Sequence, residues 1–118
     1  MREHCTIKIG TIRGRHEMPV DYYIFERIEP EDVFHFVSQQ GIAMAEVLKI
    51  FDRELEGLDV NTPIQIDLYV TGLTSATICV LNAIRAISGR ESFQREVHVY
   101  ALHYDRESGK YCGQVVIL

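Results

Sequence analysis

Ile64-Gln-Ile-Asp-Leu-Tyr-Val70 alternates apolar and polar side chains and then runs through Thr71-Gly72-Leu73-Thr74-Ser75 into an apolar stretch from Ala76 to Ile87. Successive side chains of a strand point to opposite faces, so Ile64, Ile66, Leu68 and Val70 share one face and Gln65, Asp67 and Tyr69 the other. A central parallel strand covered by helices on both sides would be apolar throughout. The alternation therefore predicts a sheet with its helices mainly on one face. The segment from Ala76 to Ile87, polar chiefly at Asn82 and Arg85, closes at Ser88-Gly89 and reads as a largely buried helix with a glycine stop.

On the N-terminal side, the alternating run from Cys5 to Arg13 meets Gly14, and the run from Val20 to Ile28 is rich in aromatic and β-branched residues. This pattern predicts a hairpin of Ile7 to Arg13 with Val20 to Ile28, turning around Gly14 and Pro19. Pro30-Glu31-Asp32 has the residue types of a first helical turn. Apolar residues then recur at Val33, Phe36, Val37, Ile42, Met44, Val47, Leu48, Phe51 and Leu55, predicting a helix that ends at Gly57 and divides at Gly41. Its charged side, from Glu46 to Glu56, reads as a solvated face. On the C-terminal side, Glu96 to Tyr104, the turn Asp105 to Gly109, and Lys110 to Leu118 read as a second hairpin. The expected order is β-β-α-β-α-β-β, a single α/β domain over residues 1–118, Rossmann-like or two-layer.

Bulk properties agree with one domain, since 118 residues with 47% hydrophobic content fill one core but not two. Cys5, Cys79 and Cys112 are odd in number and form no CxxC pair, which favours a reducing, cytoplasmic setting. No apolar run reaches the roughly 18 to 20 residues of a membrane span. The net charge of −5 argues against binding along a long nucleic-acid backbone, which depends on a positive surface. A small phosphate ligand in a local basic pocket is compatible with it.

The turn Thr71 to Ser75 is the leading candidate for a ligand site. A strand that ends in a glycine-containing, hydroxyl-rich loop before a helix aims backbone N–H groups and hydroxyls at one spot, where anions bind. The same residues also serve as ordinary structure, with Thr74 or Ser75 as an N-cap and Gly72 as a turn residue. The sequence is neither a dinucleotide fingerprint nor a P-loop. Arg13, Gly14, Arg15 and His16 form the densest basic spot. His103 and Tyr104 end a strand near Arg106 and Lys110, placing a proton carrier close to cations. Solvent-exposed turn charges are the competing explanation for both groups. His98 and His103 are spaced to opposite strand faces, and Glu31 with His35 supplies two ligands without others, so no metal is expected. No cofactor is implied. Cys79 lies in the most apolar helix, where a thiol is inert packing.

The C-terminal half, residues 63–118, with its strand, the turn Val70-Thr71-Gly72-Leu73-Thr74, the helix and the final hairpin, resembles small stand-alone CARF-like proteins of type III CRISPR systems. The resemblance implies a Rossmann-like core, a homodimer, and binding of a cyclic oligoadenylate messenger at the dimer axis, with metal-independent ring cleavage in some members. It places Thr71, Gly72, Thr74 and Ser75 on the ligand, joined by Leu73 within the same turn. Arg13, His103 and Arg106 are the candidates for cleavage. The alternative is a noncatalytic dimeric assembly module that uses the open sheet face and the apolar side of the 30–57 helix.

Overall fold

A computed structural model describes residues 4–14, 17–27, 36–70 and 74–118. The strands are β1 (Cys5–Ile12), β2 (Tyr22–Phe25), β3 (Ile64–Tyr69), β4 (Val97–Asp105) and β5 (Lys110–Val116), with helices α1 (Phe36–Leu55) and α2 (Thr74–Ser88). The expected element order and two-layer α/β class are those observed. One sheet runs β2-β1-β3-β4-β5, with β4 and β5 antiparallel and every other pair parallel.

Its register explains the core. Ile7, Ile66 and Val99 lie side by side across β1, β3 and β4, as do Ile9, Leu68 and Ala101. All six are buried on the face that packs against Ala43, Val47, Ile50 and Phe51 of α1 and Ala76, Cys79, Val80, Ala83, Ile84 and Ile87 of α2. Both helical sets recur every three or four residues, the spacing of one helix face. Among the described residues, no helix is long and apolar enough to cross a membrane.

The N-terminal hairpin is replaced by a parallel pair. Ile9 sits beside Tyr22 and Ile12 beside Phe25, so β1 and β2 run in the same direction. The segment between them carries the chain back along the strands, and the Asp21 N–H donates to the Lys8 carbonyl at 3.0 Å on re-entry. Hydrophobic alternation cannot distinguish these directions, because it fixes which face a residue occupies and not the sense of the strand. With β2 parallel, α1 and α2 cross in one direction along the sheet, from β2 past β1 to β3 and from β3 to β4. Right-handed connections then lay both helices on the same face.

α1 is continuous through Gly41, which is exposed and where a Cβ would meet nothing within 4 Å among the described residues, so the expected division is absent. The helix ends at Leu55, and Gly57 follows with φ +77°, the left-handed conformation that favours glycine after a helix. The expected start at Pro30 lies outside the described residues. α2 begins two residues earlier than the apolar pattern suggested and leaves Ile78 46% exposed, so its burial is confined to one side.

Gly10 is constrained differently. A Cβ there would lie 2.7 Å from the Tyr23 ring and 2.9 Å from Met18 Cε, where the ring covers β1 and its hydroxyl accepts the Met18 N–H at 3.1 Å. Gly10→Ala should therefore destabilise the fold by about 1–3 kcal/mol through overpacking. Gly41→Ala should stabilise it by about 0.5–1 kcal/mol, as expected for an unobstructed helical glycine. Urea denaturation of the two variants measures both effects, which have opposite sign.

Candidate functional site

The parallel strands direct their carboxyl ends to one edge of the sheet. Arg13 follows β1, Glu26 and Arg27 follow β2, Val70 follows β3, and Arg106 follows β4. The chain leaves β1 for β2 on one side and β3 for β4 on the other, so the order reverses between β1 and β3. In open α/β sheets this reversal opens the crevice in which ligands settle. The first turn of α2 stands at the same edge, with Thr74 exposed and Ser75 half-buried. Thr71, Gly72 and Leu73, with Arg15 and His16, lie outside the described residues.

Arg13 is engaged by its neighbours. Its Nε donates to Glu26 Oε2 at 2.5 Å and its Nη2 to Glu26 Oε1 at 3.3 Å, while the guanidinium carbon lies 4.3 Å from the centre of the Tyr23 ring. The neighbouring hollow of about 440 Å³ is also lined by Glu17 and Asp21, so among the described residues carboxylates outnumber the arginine there. Two of the five N–H donors of Arg13 are engaged in the ion pair, so a ligand phosphate would share Arg13 with Glu26. This partner was hidden in the sequence because an antiparallel pair sets Arg13 near Val20, whereas the parallel pairing of Ile12 with Phe25 brings Glu26 alongside.

On the other flank, β4 continues three residues beyond Leu102, the partner of Tyr69. His103 lies on the helix side of the sheet, exposed, with Nε2 2.9 Å from Gln114 Oε1. His98 faces the opposite side, as the spacing predicted. Arg106 is exposed in the turn. The Asp105 carboxylate accepts the N–H groups of Glu107 and Ser108 at 3.2 and 3.3 Å, which shapes this turn. Hydrogen bonding to Ser108 and then to Glu107 holds the Asp105 carboxyl below its ordinary pKa. Along this edge of the sheet stand a hydroxyl-bearing helix start, a paired arginine after β1, and an imidazole and an arginine at the end of β4. These groups suit anion binding and proton transfer.

Two further polar features occur on the helices. Gln40 bridges them by donating to the Cys79 carbonyl at 2.8 Å and accepting from Asn82 Nδ2 at 3.3 Å, while the buried Gln39 Oε1 has no hydrogen-bond partner among the described residues. The Cys79 thiol is buried, and that burial raises its pKa, which keeps it a poor nucleophile. A hollow of about 380 Å³ between the C-terminal parts of the helices is mainly apolar, with Leu48, Phe51, Leu55, Ile87 and Phe93 on its walls. It lies at the opposite end from the carboxyl edge. Among the described residues, no group of three or more His, Cys, Asp or Glu side chains is arranged to hold a metal ion.

The chain matches no family among the protein-family models searched, no curated protein and no solved structure.

Hydrogen bonding to Arg13 holds the Glu26 carboxyl below its ordinary pKa, and the same bond raises that of Arg13. A depressed carboxylate contributes stability above its unfolded pKa and loses it as pH falls through the folded value. Both side chains are exposed, so the effect on folding should be small and weakened by salt. Arg13→Ala should return the Glu26 titration upward to the ordinary carboxylate range, which carboxyl-carbon NMR measures directly.

Proposed function

We propose that this protein binds a phosphate-bearing cyclic nucleotide of the cyclic oligoadenylate class at the carboxyl edge of its parallel sheet, as a homodimer. The observation that carries the reading is the reversal of strand order between β1 and β3 at the carboxyl edge, the edge on which Arg13 and the start of α2 also lie. The likeness of the strand, turn and helix around Thr71, Gly72 and Thr74 to CARF-like proteins supplies the ligand class. Thr74 and Ser75 offer hydroxyls and a helix start to phosphate, and Arg106 offers a cation with no ion pair among the described residues.

Ring cleavage is an added property of the same site. A ribose 2′-oxygen attacks the adjacent phosphorus, the bond from phosphorus to the 5′-oxygen breaks, and a 2′,3′-cyclic phosphate and a 5′-hydroxyl result. His103 relays the proton from the attacking hydroxyl to the leaving oxygen, and Arg106 stabilises charge on the phosphate. This route consists of positioning and electrostatics, without a protein nucleophile.

A second reading is a noncatalytic assembly module. Its support is the apolar surface near β4 and β5, where Tyr104, Val115 and Ile117 are 55%, 67% and 94% exposed.

Thermal-shift and calorimetric titration with cyclic oligoadenylates of several ring sizes, and linear oligoadenylates as controls, tests the ligand reading. Stabilisation by one ring size is expected, with Arg106→Ala weakening affinity by about tenfold or more, the scale of a charge-assisted hydrogen bond. If the wild type cleaves the ring, His103→Ala should slow single-turnover cleavage by about ten- to a thousandfold while changing affinity less. Absence of binding to every ring would overturn this reading and leave the assembly module.

A further inference from the structure

β5 is an outer strand of the sheet, and no described strand pairs with its far side. A free edge is a row of unpaired N–H and C=O groups, commonly guarded by proline, a bulge, an inward charge or a very short strand. Apart from Lys110 at its first position, on the helix side, β5 has none of these guards. It is 7 residues long, contains no proline, keeps an unbroken register with β4 from Lys110 to Val116, and has Lys110 at its end as its one charge. β2, at the opposite edge, is only 4 residues long and is flanked by Asp21 and Glu26.

We propose that a second copy of this chain adds to β5 in antiparallel fashion about a two-fold axis through Gly113, joining two five-stranded sheets into one. The strand is complementary to itself in that register. An axis perpendicular to the sheet keeps both helix layers on one side and sets one residue opposite itself. Gly113 is the middle residue of β5, so this register pairs the whole strand. Glycine brings no side chain to collide at the axis.

The remaining pairs are compatible. Tyr111 falls opposite Val115 of the second copy, an aromatic and β-branched pair on the open face. Tyr111 is already held edge-on against Tyr69 and Tyr104, with centroids 4.9 and 5.3 Å away, while Val115 is 67% exposed and gains cover. On the helix side, Cys112 falls opposite Gln114 and Lys110 opposite Val116, so no like charges meet. The edge-to-edge contact goes beyond the ligand reading and does not depend on it.

Light scattering of the full chain should give twice 13.6 kDa at tens of micromolar. Val115→Lys, at an exposed position, should keep the circular-dichroism spectrum and raise the dimer dissociation constant by about tenfold or more, because lysine on an edge opposes strand addition. Gln114→Cys under mild oxidation should give a covalent dimer whose peptide map links Cys112 to position 114 of the other copy. A monomeric wild type, an equally stable dimer in folded Val115→Lys, or a map joining identical positions would overturn the proposal. Thermal shifts with cyclic oligoadenylates, measured on the same samples, report separately on ligand binding.

Discussion

The structure depends on β1 being hydrogen-bonded in parallel on both sides, between β2 and β3. That position aligns Ile7 with Ile66 and Ile9 with Leu68, four fully buried side chains that carry the helix layer. Apolar burial of this kind stabilises by about 25 cal/mol per Å² removed from water, and it acts only if every member occupies the same face. A one-residue slip of β1 would turn Lys8 toward the helices and Ile7 and Ile9 away from them. The register is therefore fixed by the core.

One-sided helical cover follows from the same arrangement and leaves the opposite face to a different kind of packing. There Gly10, Tyr69, Leu102 and Gly113 form one row across four strands. The Tyr23 ring fills the space over Gly10, and Tyr111 packs edge-on against Tyr69, which is only 7% exposed. Aromatic rings thus cover much of the face without a second helix layer. The exposed apolar surface moves outward to Val115 and Tyr104. Gln65 and Asp67 remain half-buried and hydrogen-bonded to each other at 3.0 Å.

Parallel packing also sets the chemistry at the carboxyl edge, because groups distant in sequence follow strands that end together. It has a cost for the simplest electrostatic reading of the sequence. Arg13, viewed within the basic cluster from Arg13 to His16, suggests a free anion contact, yet Glu26 holds it and Tyr23 lies beside its guanidinium. A ligand phosphate would compete with a carboxylate already in place. Arg106, on the hairpin turn, is exposed and makes no ion pair among the described residues.

Local pattern determined the element types, their order, the one-sided helix layer and the C-terminal hairpin. The period of 2 through Ile64, Ile66 and Leu68 and the helical spacing through Ala76, Val80, Ala83 and Ile87 are each written within one short segment. The turn after β3 was recognisable as a candidate site for the same reason, since glycine and hydroxyl residues stand together in the chain. Only tertiary structure decided that β1 and β2 run parallel, that α1 passes through Gly41 unbroken, and that Arg13 meets Glu26. Side-chain alternation is unchanged when a strand is reversed, and one exposed glycine costs a helix less than the burial of Ala43, Val47 and Phe51 returns. The direction of β2 is settled by where its chain must go next, into a helix that crosses β1 and delivers β3 to its other side.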